Sequence, residues 1–168
     1  MTGVAEVPVL DDVLRTLAPD LLAYFGRRLG DAEDAADALG ETLLVLWRKR
    51  RSLPTDPVHA RQYAFGVARH ILAAARRGRV RRRALADRIA EELAVAWAEA
   101  PPPVDEGLRG ALAELPERDR ELVLLVAWEG FGVAEAGAVL GLKPDAARQR
   151  GSRTRARLRD RLTASDPS

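Results

Sequence analysis

The apolar residues of the chain recur every three or four positions over two long stretches, which is the spacing of one face of an α-helix. The first stretch runs from Val9 to about Trp97. Glycine and proline interrupt it at four places, near Gly30, Pro54, Pro57 and Gly78. Because both residues tend to end helices, these breaks predict four helical segments in this half of the chain.

The second stretch runs from Leu108 to Leu162 and is interrupted at Pro116, at 130–132 and at 141–144, and its last part has the spacing of a helix-turn-helix motif. Gly137 is small enough for two helices to cross closely, and Gly141 can adopt the left-handed backbone that a sharp turn needs. We predict a short helix, a turn and a long helix, over Val133 to Leu140, Gly141 to Lys143 and Pro144 to Leu162.

A proline-rich segment separates the two stretches. Residues 98–107 read AEAPPPVDEG, and three consecutive prolines cannot lie inside a helix and favour a stiff, extended chain. The chain of 168 residues is rich in Ala, Leu, Arg and Glu and has only 5% aromatic residues, which favours helices over strands. We therefore predict an all-α fold of two small helical domains, residues 1–97 and 108–168, joined by a Pro-rich linker at 98–107.

The second helix of such a motif enters the major groove of DNA with its N-terminal part. Candidates for base edges are therefore Arg148, Gln149 and Ser152. Candidates for phosphates follow in the same helix, at Arg153, Arg155 and Arg157. The alternative is an ordinary helical hairpin with a solvated arginine face.

A helix predicted from Asp31 to Arg50 has two distinct faces. The apolar face, which we expect in the core, consists of Ala35, Leu39, Leu43, Leu46 and Trp47. Another face aligns three carboxylates that are candidates for docking a cationic partner, namely Asp34, Asp37 and Glu41. The alternative is that these acids only complement the positive N-terminus of the helix, although Glu41 lies too far along the helix for that.

The next predicted helix, about His59 to Arg77, combines basic and aromatic side chains. Tyr63, Val67 and Ile71 recur at four-residue spacing and are expected in the core. Other residues offer charge for phosphates and a flat ring for an unstacked base, and these DNA-binding candidates are Arg61, Phe65, Arg69, His70, Arg76 and Arg77. For Phe65 the choice between core and base platform stays open.

Charge is distributed unevenly, although the formal net charge is only +2. Residues 61–83 contain eight arginines and no carboxylate, and a second run of arginines, residues 148–161, is broken only by Asp160. Guanidinium groups pair with phosphate in a planar, bidentate fork. The two runs therefore indicate two contacts with a polyanion, foremost nucleic acid, because a merely solvated surface normally mixes charges of both signs.

Several kinds of chemistry lack the residues that they need. The chain has no cysteine, and its two histidines, His59 and His70, have no further ligands at metal-binding spacing. With no phosphate-binding glycine loop and no catalytic constellation, we expect no metal, no cofactor and no enzyme activity. No apolar segment approaches the roughly 20 residues that a membrane span needs, so we expect a cytoplasmic protein.

Three blocks, in this order, resemble the extracytoplasmic-function (group IV) sigma factors of RNA polymerase, over nearly the whole chain. DAEDAADALGETLLVLWR, which starts at Asp31, resembles the region 2 helix that binds the beta-prime clamp helices. YAFGVARHIL, which starts at Tyr63, resembles the helix that reads and helps melt the minus-ten promoter element. The block from Leu115 to Leu158 resembles region 4, whose helix-turn-helix reads the minus-thirty-five element.

The resemblance implies a sigma factor that binds core RNA polymerase with its first domain and anchors on promoter DNA with its second. The implied polymerase contacts are the beta-prime clamp helices and the beta flap, and an anti-sigma protein is a further candidate partner. The sequence departs from the family pattern at Gly40, Tyr63, His70, Ala147 and Gly151. Because Ala147 and Gly151 stand where larger apolar residues are usual, we expect thin packing in the second domain.

Two other functions are alternatives. A stand-alone helix-turn-helix regulator would bind duplex DNA without polymerase, and its first domain would sense a ligand or dimerise. A helical enzyme or scaffold with incidental arginine faces is disfavoured because clustered catalytic residues are missing from the sequence. Dependence on core polymerase separates a sigma factor from the first alternative, and DNA binding at physiological salt separates it from the second.

Overall fold

The computed structural model describes residues 6–93 and 106–164, and every regular element in these ranges is helical. The first range contains α1 (Glu6–Leu29), α2 (Ala32–Arg48), a 3-10 turn (Arg50–Ser52) and α3 (Pro57–Leu93). The second contains α4 (Glu106–Ala113), α5 (Glu117–Ala127), α6 (Val133–Val139) and α7 (Pro144–Ala164). Contacts divide the chain into two units, residues 1–98 and 99–168. The predicted all-α architecture is confirmed, while residues 98–105 of the predicted linker lie outside the described residues.

A tight corner joins α1 to α2. Gly30 has a φ of +69°, a left-handed conformation that glycine adopts without the steric cost of a Cβ. Asp31 then caps α2, because its side-chain oxygen accepts a hydrogen bond from the backbone N–H of Asp34 at 2.9 Å. The two helices therefore fold back on each other, and both pack against α3.

Three aromatic rings form the centre of the first unit. Tyr24, Phe25 and Phe65 are fully buried, and the ring centres of Tyr24 and Phe65 lie 5.3 Å apart in an edge-to-face arrangement. Leu21 and Leu46 are fully buried as well. Burying each large apolar side chain contributes roughly 1.5–3 kcal/mol, so these residues stabilise the packing of the three helices.

Gly78 does not end a helix, so the prediction of four helical segments is wrong. α3 continues through this glycine as one helix of 37 residues. A single helical glycine costs only about 1 kcal/mol relative to alanine. Beyond it, Arg79 donates a hydrogen bond to the carbonyl of Leu29 at the end of α1, and Arg82 pairs with Asp34 in α2. These contacts hold the helix past the glycine.

A polar cap marks the start of α3. The Asp56 carboxylate accepts a hydrogen bond from the backbone N–H of His59 at 3.0 Å, and the His59 ring Nδ1 lies 2.6 Å from the same oxygen. These hydrogen bonds to His59 hold the pKa of the Asp56 carboxyl below its ordinary value. The helix accordingly begins at Pro57, slightly ahead of the predicted start.

The predicted helix-turn-helix of the second unit is confirmed. Gly141 has a φ of +69° in the turn between α6 and α7. Gly137 lies so close to Ala147 that a Cβ at Gly137 would overlap the Ala147 Cβ, and a Cβ at Gly151 would lie 3.2 Å from Val133. The small residues at 147 and 151 match a close crossing of α6 and α7. A cavity of about 100 Å³ beside Gly151 agrees with the expected thin packing at that position.

Candidate partner and nucleic-acid interfaces

Four exposed side chains form one surface of α2. Asp37 and Glu41 are exposed, and Leu44 and Trp47 follow them with 46% and 50% of their surfaces accessible. The guanidinium group of Arg50 lies over the Trp47 ring, 4.7 Å from its centre. We call Asp37, Glu41, Leu44 and Trp47 the α2 surface. Exposed apolar side chains beside polar ones are typical of a protein contact.

The predicted core position of Trp47 is therefore wrong. The buried face of α2 consists instead of Ala35, Ala38, Thr42 and Leu46, while Leu39 and Leu43 are only half-buried. The hydroxyl of Thr42 donates a hydrogen bond to the Ala38 carbonyl at 2.7 Å, which satisfies this polar group inside the core. A pattern based on apolar residues does not count Thr42 as a core residue. The predicted apolar face was therefore rotated toward Trp47.

Asp34 is bound within the first unit, unlike the other two predicted docking acids. Its side-chain oxygen accepts a hydrogen bond from Arg82 of α3 at 3.1 Å, and its side chain is only 27% exposed. Within residues 6–93 and 106–164, Asp37 and Glu41 form no ion pair. The three carboxylates are therefore not equivalent, and Asp37 and Glu41 are the ones that face outward.

Phe65 cannot serve as a platform for DNA bases, because its ring is fully buried against Tyr24. The predicted core stripe is correct only at Ile71, since Tyr63 and Val67 are partly exposed. The buried face of α3 consists of Ala60, Ala64, Phe65, Ala68, Ile71 and Leu72. The three alanines on this face bring α3 close enough for the Phe65 ring to reach Tyr24.

Several basic residues of α3 whose side chains the structure describes are held by contacts within the first unit. Arg61 lies 3.4 Å from Asp20, and its guanidinium group lies over the Phe65 ring, so it is held within the unit. Arg79 and Arg82 are bound to α1 and α2 as described above. The remaining predicted DNA contacts are exposed or half-buried, and we call them the α3 surface: Arg69, His70, Arg76 and Arg77. This set is smaller than the run of charge in the sequence suggests.

One side of α7 is buried and the opposite side is exposed. The buried residues follow helical spacing at Ala147, Gly151, Thr154 and Leu158. The opposite side carries four of the predicted DNA contacts, which we call the α7 surface: Arg148, Gln149, Ser152 and Arg153. A helix that presents one polar, basic side and buries the other has the form needed to lie in a groove of DNA.

Arg155 and Arg157 are exposed but lie at the edges of α7. The Nε of Arg155 donates a hydrogen bond to the Gly151 carbonyl at 3.2 Å. Arg157 lines a cavity of about 350 Å³ together with Glu114 and Asp160. Because each helical residue is rotated by about 100° from the last, these two arginines flank the α7 surface rather than continue it.

The described residues carry the candidate contact surfaces defined above, on α2, α3 and α7. Among them, no group of three or more His, Asp or Glu side chains is placed to hold a metal ion. In the same ranges, 6–93 and 106–164, no helix is both long and apolar enough to cross a membrane.

Family models match both units. Residues 13–97 match Sigma-70 region 2, and residues 105–158 match Sigma-70, region 4. The chain belongs to the sigma-70 family. The resemblance found in the sequence is confirmed, and the presence of region 2 beside the helix-turn-helix disfavours a stand-alone regulator.

Two relatives of this sigma factor carry names of the extracytoplasmic-function (ECF) group, and a third is named as an RNA polymerase sigma factor. The ECF RNA polymerase sigma factor SigF of Caulobacter vibrioides is 35% identical over 155 residues, which cover 91% of this chain and 85% of SigF. The ECF RNA polymerase sigma factor SigE of Mycolicibacterium smegmatis is 30% identical over 166 residues, which cover 94% of this chain and 63% of SigE. The RNA polymerase sigma factor CarQ of Myxococcus xanthus is 30% identical over 166 residues, which cover 90% of this chain and 88% of CarQ. This sigma factor is a transcription initiation factor that directs core RNA polymerase to promoters.

Solved structures share the fold of this sigma factor. The sigma factor RpoE from Bartonella quintana, in complex with the anti-sigma factor NepR, is 22% identical with a TM-score of 0.62, and the match covers 93% of this chain and 98% of RpoE. CnrH, in complex with the cytosolic domain of CnrY, is 24% identical with a TM-score of 0.57, and the match covers 96% of this chain and 99% of CnrH. At these identities the likeness shows the fold alone.

Proposed function

We propose that the α2 surface docks on core RNA polymerase, at the beta-prime clamp helices that the family resemblance implies. The observation that carries the proposal is the exposure of Asp37 and Glu41 beside Leu44 and Trp47 on one helix. The carboxylates favour a cationic partner, and the apolar side chains gain free energy by leaving water. Asp34 supports docking only indirectly, because Arg82 already occupies it.

The α3 surface contacts the minus-ten element of the promoter in this proposal. Its arginines and His70 supply charge to the phosphates, and the half-exposed ring of Tyr63 replaces Phe65 as the stacking partner of an unstacked base. Capture of bases offsets an unstacking cost of roughly a few kcal/mol per base. Binding to the separated strand thereby aids promoter melting.

The α7 surface lies in the major groove at the minus-thirty-five element. Arg148 and Gln149 are close to the N-terminal end of α7 and reach base edges, while Arg153 contacts a phosphate. The edge positions of Arg155 and Arg157 give them a smaller part in this contact. Promoter preference therefore rests on a few side chains in the first two turns of α7.

The protein acts by binding alone in this proposal, and core polymerase supplies the catalytic centre. Since core polymerase works in the cytoplasm, so does this chain. An anti-sigma protein is a proposed partner, because RpoE, which shares this fold, was solved in complex with one. Such a protein would cover the α2 surface and keep the chain from core polymerase.

Replacing Asp37 and Glu41 together by lysine is expected to weaken binding to core polymerase by about 100-fold, because like charges at an interface cost several kcal/mol. Both side chains are exposed, so helix content should stay nearly unchanged. Affinity for purified core polymerase, measured by titration of the fluorescently labelled full chain, checks this result.

The matched control replaces Asp11 and Asp12 by lysine, which makes the same change in net charge at two exposed positions of α1, where Asp11 pairs with the exposed Arg15. This control should bind core polymerase with nearly the affinity of the wild type. If both double variants lose affinity equally, net charge rather than the α2 surface governs docking, and an unchanged Asp37/Glu41 variant places docking elsewhere.

A further inference from the structure

The first turn of α5 contacts three other elements of the second unit through three consecutive residues. Arg118 donates a hydrogen bond from Nη2 to the Leu140 carbonyl at 2.8 Å, where α6 ends. The Asp119 carboxylate accepts one from Nη1 of Arg150 in α7 at 2.6 Å. Arg120 donates to the Leu115 carbonyl at 3.1 Å, just after α4. This turn therefore holds both helices of the helix-turn-helix by polar contacts.

The ion pair between Asp119 and Arg150 is sheltered from solvent. The Asp119 side chain is 13% exposed and that of Arg150 is 35% exposed, whereas the arginine pairs at Asp145 and Glu114 involve side chains that are more than half exposed. Hydrogen bonds between charged groups are short and directional, and shelter reduces competition from water. Loss of either partner would leave a partly buried charge without its counterion.

Arg150 differs in direction from the arginines around it. It follows the buried Ala147 by three positions and precedes the buried Gly151 and Thr154, so it lies on the inner side of α7. Arg148 and Arg153 lie on the α7 surface. The guanidinium group of Arg150 is thus committed to α5 and does not face a groove of DNA.

Small residues set the distance at which α6 and α7 cross, and polar contacts add directional restraint to this packing. Gly137 meets Ala147 and Gly151 meets Val133, and such small residues allow close approach without interlocking side chains. The hydrogen bonds from the first turn of α5 have fixed donor and acceptor directions. The bond from Arg150 to Asp119 restrains the rotation of α7, and the bond from Arg118 to the Leu140 carbonyl holds the end of α6 beside it.

We propose that Arg118 and Asp119 form a clamp that sets the orientation of α7, and that Arg150 is a positioning residue for promoter recognition. This inference rests on the proposed reading of DNA by the α7 surface. Small rotations of α7 move Arg148 and Gln149 relative to base edges, so loss of the clamp lowers discrimination between promoter sequences. Arg150 itself adds no phosphate contact.

The test compares Arg150→Gln with Arg153→Gln in holoenzyme made from core polymerase and the full chain. Binding is measured against a promoter library randomised upstream, at several salt concentrations. Arg150→Gln should reduce discrimination between the best and the average sequence by about tenfold and leave the salt slope unchanged. Arg153→Gln should lower the salt slope by about one and retain the sequence preference. A salt slope that falls for Arg150→Gln makes Arg150 a phosphate contact and overturns the clamp.

A second readout does not depend on DNA. Amide hydrogen exchange of α7 is measured for Asp119→Asn, for Arg150→Gln and for their double variant. It is also measured for Arg150→Lys, which keeps the positive charge but loses the planar guanidinium group. The clamp predicts that the double variant loosens α7 no more than either single variant, and that lysine restores protection in part. Additive effects overturn the clamp. A third outcome separates the clamp from the proposed function. If Arg153→Gln leaves DNA binding intact while the effects of Asp119→Asn and Arg150→Gln on exchange are not additive, the clamp is supported and the proposed DNA contact of the α7 surface is wrong.

Discussion

Phe65→Ala is expected to lower the free energy of unfolding of the first unit by about 3–5 kcal/mol, the range typical of removing a buried aromatic ring. The ring is fully buried and packs edge to face on Tyr24, which in turn contacts Phe25. Its loss leaves a cavity where α3 attaches to the other two helices. Chemical unfolding of the full chain, followed by circular dichroism, measures the change.

Tyr63→Ala is the matched comparison, because Tyr63 is an aromatic residue of the same helix but is partly exposed. It should change stability by only about 1 kcal/mol and weaken binding to single-stranded minus-ten DNA by about 1–3 kcal/mol, the value of one stacked base. The opposite outcome would place Phe65 at the DNA and Tyr63 in the core. In that case the Phe65→Ala protein would be stable but would lose DNA binding, and the Tyr63→Ala protein would be unstable.

Gly137→Ala is expected to destabilise the second unit by about 1–3 kcal/mol, although alanine is the better helix former. The added methyl group would overlap the Cβ of Ala147, so α6 and α7 must move apart. We expect upstream promoter contacts to be lost with this movement. Unfolding of the second unit and holoenzyme binding to promoter DNA measure the two effects.

Two further variants distinguish this overlap from a general effect of alanine. Gly110→Ala in α4 meets no atom within 4 Å, so it should leave stability unchanged or raise it by up to about 1 kcal/mol. Ala147→Gly, added to Gly137→Ala, removes the opposing methyl group and should restore much of the promoter binding. Failure of this second change to rescue binding would mean that the two helices are not held apart by this contact.

Local signals in the sequence predicted the helical architecture and the helix-turn-helix. Gly141 and Gly137 mark the turn and the crossing because their roles depend on the absence of a side chain, which the sequence shows directly. The periodicity of large apolar residues likewise indicated where helices occur. It did not indicate correctly which side of α3 is buried.

The error in α3 has a physical reason. Alanine is small enough to lie in a core or on a surface, so Ala60, Ala64 and Ala68 carried little weight against Tyr63 and Val67 in the pattern. Their burial depends on how closely α3 approaches α1, and this approach is set by contacts distant in the sequence. Of the six buried residues of α3, the pattern therefore placed only Ile71 in the core and left Phe65 open.

The arginine runs could not be divided by sequence for a similar reason. Arg82 pairs with Asp34, which is 48 residues away, and Arg150 pairs with Asp119, which is 31 residues away. A run of like charges predicts a polyanion contact, but it does not tell which members turn inward to a distant acid. Only the fold separates the arginines that pair with distant acids from those that stay exposed and that we propose to contact DNA.

Run-off transcription tests most directly the central claim that this chain directs core polymerase through separate docking and reading surfaces. Purified core polymerase and the full chain act on a pool of promoter fragments randomised upstream, and the transcripts are sequenced. Defined start sites should appear only when the chain is added and should vanish with the Asp37→Lys and Glu41→Lys double variant. With Arg148→Ala, start sites should persist while preference at one upstream position weakens by about 1–3 kcal/mol. Start sites that never appear with folded protein and active core, or that are indifferent to both variants, would contradict the claim.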